Sequence, residues 1–191
     1  MKRILVMTLL LLVALSGVSG AAGYKDIRQI GVVMLGSPLG RTEQSCNYVQ
    51  GVLAVLDSDY RIKTGRKMQE AFSQYMLEKG YEASSLPNEE AMKDFVTYNE
   101  KDAVIYFYVS DPVTFVRHSW WFREDSVYRS YLGIRGYLCT ADEVKEVCRT
   151  SGSGMSEASP AAAAREALEK ALKSAGSSTR PLLQKEKKKI S

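Results

Sequence analysis

The sequence is poor in the residues that most often carry chemistry or staple a small fold. It has one histidine in 191 residues, three cysteines and five prolines. One histidine and three cysteines cannot build a Cys/His zinc module, and a histidine-dependent triad would have to use His118. Fourteen glycines and five prolines are too few for a fibrous chain. A hydrophobic content of 45% is too high for a disordered one. Long apolar runs are equally scarce. The run at residues 4–15 falls short of the roughly 20 residues that span a bilayer. What remains is the length and composition of one ordinary domain.

That apolar run has a different use. Lys2 and Arg3 precede it, and Ser16-Gly17-Val18-Ser19-Gly20-Ala21-Ala22 follows it. A charged start, an apolar stretch and a small-residue end are the parts of a secretory signal peptide. Residues 1–22 are therefore expected to be cleaved, after Ala22. No cysteine lies near the site, so a lipid anchor is not expected there. The protein should be periplasmic or secreted. Lys2, Arg3 and the basic end, 177–191, carry more than the whole net charge of +4. Residues 23–176 are left close to neutral, which removes charge as a reason to expect a nucleic-acid partner.

The body, 23–176, reads as a single domain. Residues 27–35 and 102–110 are apolar on both faces, as in buried central strands. Tyr48, Val52, Leu53 and Leu56 have helical spacing. The clearest helix covers 65–79, with Met68, Ala71, Phe72, Tyr75 and Met76 on one side and Gly80 as its stop. A short extended piece follows at 81–83, and Pro87 is expected to open a second helix to about Tyr98. Residues 113–122 are aromatic and strand-like, 128–140 alternate as a strand, and 144–150 return as its hairpin partner. Ser151-Gly152-Ser153-Gly154 reads as a loop. Ser159-Pro160 caps an alanine-rich helix to about Ser174. Residues 177–191 read as a disordered basic tail, able to touch an anionic surface weakly. The expected class is α+β, an α/β sandwich: one mixed sheet of about five strands with two to three helices packed mainly on one face.

Export leads to an oxidising compartment. With Asp142 to Lys145 as the turn, Cys139 and Cys148 fall opposite each other and share a face. A disulfide between them is then geometrically open, as is a pair of free thiols. Cys46 is left over.

The composition is most uneven in its aromatic residues. Twelve of the eighteen lie between Phe95 and Tyr137. Trp120 and Trp121 are adjacent, so on a strand they cannot both face one core. Arginines interleave them. Trp120, Trp121, Arg117, Arg123, Tyr131, Arg135 and Tyr137 are the expected binding face, since aromatic–arginine surfaces dominate interaction hot spots. Other motifs are weaker. His118, Ser119 and the flanking Asp111 and Asp125 contain the residue types of a triad, yet nothing resembles a nucleophile elbow. The paired carboxylates Glu89-Glu90, Glu124-Asp125 and Asp142-Glu143 lack calcium-loop spacing. Gly36-Ser37-Pro38-Leu39-Gly40 has neither a phosphate-loop nor a dinucleotide pattern. No metal site, cofactor or catalytic residue is expected.

Three segments together resemble one group of envelope proteins. They are Ile30-Gly31-Val32-Val33-Met34 with the helix ending Leu77-Glu78-Lys79-Gly80-Tyr81-Glu82, the strand Lys101-Asp102-Ala103-Val104-Ile105-Tyr106, and the hairpin and Ala-rich helix from Leu132 onward. The pattern is similar to the fold shared by the TolB N-terminal domain, the periplasmic part of the CsgG family and LpoB-type lipoproteins. It covers most of residues 26–176. The lipidated cysteine usual there is missing, Cys148 replaces the usual hairpin tryptophan, and Val144 stands where glycine is common. The resemblance implies a non-catalytic exported protein that acts as a binding or assembly component. Its partner would be an outer-membrane, secretion or peptidoglycan-synthesis protein, with a homo-oligomer also open. The alternative is a small exported hydrolase or ligand-binding protein working through His118.

Overall fold

The computed structural model describes residues 27–53, 61–63, 66–118 and 126–188. The expected leader 1–22 lies outside them. Six strands form one mixed sheet: β1 (Gln29–Gly36), β2 (Arg61–Lys63), β3 (Ala103–Val109), β4 (Val113–His118), β5 (Ser126–Cys139) and β6 (Val144–Ser156). Among the described residues, four helices accompany them: α1 (Glu43–Leu53), α2 (Arg66–Glu78), α3 (Glu89–Tyr98) and α4 (Pro160–Lys188). The class is the expected one.

β1 lies between β2 and β3, parallel to both, and β3 pairs antiparallel with β5. β6 takes one edge of β5 along almost its whole length. β3 and β4 therefore share the other edge, β3 beside residues 134–139 and β4 beside residues 126–131. They are nearly one strand, broken at Ser110-Asp111-Pro112. Ser110 joins the break to β5: its N–H donates to the Gly133 carbonyl and its Oγ accepts from the Gly133 N–H, both at 2.9 Å. Six strands thus fill five positions.

The helices divide two and two rather than gathering on one face. α1 and α4 cover one side, where Val49, Leu53, Leu168 and Leu172 meet Val32, Ile105, Ile134 and Leu138. α2 and α3 cover the other, where Phe72, Met76 and Phe95 meet Val33, Leu35, Val104 and Tyr106. The two-sided apolarity of β1 and β3 requires this, because every residue of each strand needs cover.

Local signals set the helix ends. Thr42, Asn88 and Ser159 accept from the N–H three residues on, at 3.2, 2.8 and 3.1 Å. Pro87 therefore precedes the cap of α3 instead of opening the helix. At the end of α2, Gly80 has φ of 76° and its N–H bonds Leu77 O, while the Tyr81 N–H reaches Met76 O at 2.8 Å. This is a Schellman stop, and Gly supplies its left-handed residue. Residues 81–83 form no strand.

Three expectations for the C-terminal part are corrected. Residues 151–154 are not a loop but the middle of β6. A Cβ on Gly152 or Gly154 would strike the main chain of α4 at Ala167 or Ala163, so glycine there lets the helix sit against the strand. Residues 177–188 are not disordered; they continue α4. Thr179 and Leu183 are buried, and Thr179 Oγ1 donates to the Ala175 carbonyl at 2.8 Å. Pro181 is tolerated because the carbonyl it leaves unpaired belongs to exposed Ser177. Finally, Cys139 and Cys148 are free thiols. The turn is residues 140–143, and a bulge opposite Gly136 and Tyr137 makes Val147 an extra residue in β6. That changes the parity, so Cys139 faces the α2–α3 core and Cys148 the α4 core.

Candidate interaction face

β4, β5 and β6 extend past the cover of α2 and α3. Their alternation decides what lies on the uncovered side. Along β5, Ser130, Leu132 and Ile134 are buried, while Arg129, Tyr131 and Arg135 are exposed. The register places Val113 beside Tyr131, Phe115 beside Arg129 and Arg117 beside Val127. On the other flank it places Met155 beside Arg129, Ser153 beside Tyr131 and Arg149 beside Arg135. Opposed residues share a face. One sheet surface therefore gathers Val113, Phe115 and Arg117 from β4, Arg129, Tyr131 and Arg135 from β5, and Arg149 and Met155 from β6.

Much of its apolar area is in water. Phe115 is 60% exposed, Val113 56%, Met155 52% and Tyr131 42%. Phe115 and Tyr131 meet edge to face, with ring centres 6.2 Å apart. Arg129 Nη2 approaches Met155 Sδ at 3.9 Å. At the end nearer the core, Tyr137 is half-buried against the α2–α3 cluster. A depression of about 600 Å³ lies there, lined by Leu86, Tyr108, Ser110, Gly133, Arg135 and Arg149 among others.

Arginines outnumber acids on this face. Arg149 grips Glu146 with two bonds, Nε to Oε1 at 2.8 Å and Nη2 to Oε2 at 2.9 Å. The pair holds the Glu146 carboxyl below its ordinary range, first through the Arg149 hydrogen bond, with Arg135 adding a smaller pull. Arg135 and Arg149 nonetheless stand directly opposite each other, and like charges in that position cost stability. Arg117, Arg129 and Arg135 make no ion pair with a described acid.

Of the residues expected from the sequence, Arg117, Tyr131, Arg135 and Tyr137 share this surface. Trp120, Trp121 and Arg123 lie outside the described residues, as does the side chain of His118. Met155 escaped the sequence reading because β6 was expected to stop at Thr150, while Arg149 lay inside the expected strand but took this face only through the bulge at Val147. Their signal was the alternation of Arg149, Ser151, Ser153 and Met155 with Thr150, Gly152 and Gly154. Among the described residues, no group of three His, Cys, Asp or Glu is placed to hold a metal ion, and no helix is long and apolar enough to cross a membrane.

No family model matches this chain, and no curated protein matches it. Solved structures do. The lipoprotein GNA1162 from Neisseria meningitidis aligns at 18% identity and a TM-score of 0.42, over 69% of this chain and 84% of that one. The hypothetical protein CT253 from Chlamydia trachomatis aligns at 8% and 0.36, over 85% and 95%. The LpoB C-terminal domain from Salmonella enterica aligns at 10% and 0.35, over 67% and 82%. These values describe a partial likeness of fold, and no reading of function rests on them.

Proposed function

We propose that this is a non-catalytic, exported cell-envelope protein that binds another envelope protein through the β4–β5–β6 face, as a binding or assembly component in the periplasm. The observation that carries the reading is the face itself. Four exposed apolar side chains stand among four arginines on a rigid sheet. A solvated sheet surface is normally polar, and one rich in aromatics and arginine has the composition of an interface centre. Export is supported by residues 1–22, which have the three parts of a signal peptide. An outer-membrane, secretion or peptidoglycan-synthesis component is the partner class that suits the compartment.

Capture tests the reading. The tagged full chain would be recovered from the envelope fraction of the cells that make it. Tyr131→Ala, Arg135→Ala, Trp120→Ala and Trp121→Ala should lose a partner that the parent retains, with melting temperature unchanged. His118→Ala should keep it. Loss of the partner on His118→Ala alone, together with loss of a hydrolytic activity, would replace the binding role with an enzymatic one.

A further inference from the structure

Among the described residues, every other strand edge in this sheet is managed, and that of β4 is not. β2 closes one end of the sheet as a strand of only three residues, Arg61–Lys63, and very short edge strands resist pairing. Where β1 runs past β2, Gln69 Oε1 accepts from the Met34 N–H at 3.0 Å. On the outer edge of β6, Glu166 Oε2 accepts from the Met155 N–H at 2.8 Å, and Lys145, Glu146 and Arg149 add charge. β1 covers the edge of β3 as far as Val109 and then leaves at Gly36, with φ of 79°, as the Ser37 N–H caps the Val109 carbonyl at 2.9 Å. Beyond that point β4 prolongs the same edge, and no described strand lies beside it. Its residues are Val113-Thr114-Phe115-Val116-Arg117-His118. Val113 and Phe115 are exposed on the arginine face, and Val116, 47% exposed, on the other. A six-residue edge whose first four residues are β-branched or aromatic, without lysine or proline, is a template for another strand.

We infer that β4 receives an extended acidic segment of the partner protein as an added strand, in line with β1. This rests on the binding role proposed above and gives it a mode. Main-chain bonds would supply affinity, and alternate side chains would supply selectivity. Charge chooses the occupant. Arg117 lies on the edge strand and Arg129 and Arg135 on the next, with no described acid paired to them. A second copy of this chain, paired antiparallel through β4, would bring two such arginine sets onto one surface. A segment with glutamate or aspartate at alternate positions meets them with opposite charge.

The test uses the purified full chain and a fluorescent peptide of about eight residues, valines with glutamate at two alternate positions. Comparison probes are the lysine counterpart, the two forms N-methylated at every second amide, and phosphatidylglycerol vesicles. The expected result is binding of the glutamate peptide, at least about tenfold weaker binding of the lysine peptide, loss of binding in one methylation register only, and new protection from hydrogen exchange of those alternate amides of 113–118 that point away from β5. Arg117→Glu should weaken the glutamate peptide and strengthen the lysine one, a reversal that misfolding cannot produce. Equal binding of both peptides, equal binding of both methylated forms, binding of vesicles alone, or full protection in the free protein of the alternate β4 amides that point away from β5 would each overturn strand addition. A peptide that fails to bind, while Tyr131→Ala still abolishes partner capture, removes the edge mode and leaves the face. Failure of both removes the binding role as well.

Discussion

Gly152 and Gly133 are both strand glycines with ordinary backbone angles, yet the same substitution should affect them very differently. A Cβ on Gly152 would run into the Ala167 carbonyl and sit 2.7 Å from Ala171 N, both main-chain atoms of α4. Main chain cannot rotate away, so the helix must retreat. Returning the Ala171 contact alone to ordinary distance needs about 0.7 Å, and a gap of that size forfeits a quarter to a half of each dispersion contact it opens. The contacts at risk are those of Leu168, Leu172 and Ala175 with the sheet. Overpacking of this kind costs about 1–3 kcal/mol, and the upper half applies where nothing flexible can give. For a chain of this size, Gly152→Ala should lower the melting temperature by roughly 4–12 °C. At Gly133 the nearest atoms to a new Cβ are 3.7 and 3.8 Å away, an ordinary contact. Gly133→Ala should leave stability level or raise it by up to about 1 kcal/mol, through the unfolded chain. Differential scanning calorimetry of both variants measures the contrast. Equal melting temperatures for the two would refute the close packing of α4 on β6.

Other consequences follow from burial and capping. Burial pushes the Cys139 thiol up to about 12, against an ordinary 9.0. The neutral thiol is thus the form the fold favours: its contribution is fully present below about pH 9 and is lost as pH rises from there towards 12. Cys139→Ala should flatten that alkaline loss in urea titrations across this window. Mass spectrometry after alkylation under denaturing, non-reducing conditions should find Cys139 and Cys148 both free, and neither should react with a thiol reagent in the native protein. Leu183→Ala should cost about 2–4 kcal/mol by chemical denaturation, because Leu183 packs into the core; no effect would return 177–188 to a disordered tail. Asn88→Ala removes the cap that accepts from the Ala91 N–H and should cost about 1 kcal/mol in the same assay.

The sequence showed most clearly what local periodicity controls. The two-sided apolarity of β1 and β3, the stripe of α2, the stop at Gly80 and the Ser159-Pro160 start of α4 all read directly. That same two-sided apolarity already called for helices on both faces. What stayed hidden depends on distant partners. Ser151 to Gly154 has the composition of a loop, and only the approach of α4 explains glycine in a strand there. The bulge that makes Val147 an extra residue leaves no local trace, yet it separates the two thiols. Gly176 and Pro181 punctuate the helix on paper, while Thr179 and Leu183 hold it to the core. The arginine–aromatic pattern on β4 and β5 was visible as alternation; its third row needed the bulge to place Arg149 and the full length of β6 to include Met155.

Photo-crosslinking in intact cells would decide whether the uncovered sheet face is where this protein meets its partner. A benzophenone side chain would be placed at Phe115, at Tyr131 and, as the comparison, at Leu77, which is 68% exposed on α2. The expected outcome is one shared crosslinked envelope protein from Phe115 and Tyr131, absent at Leu77 and abolished by Arg135→Glu. Crosslinks from Leu77 to that protein, with none from Phe115 or Tyr131, would contradict the assignment of the face.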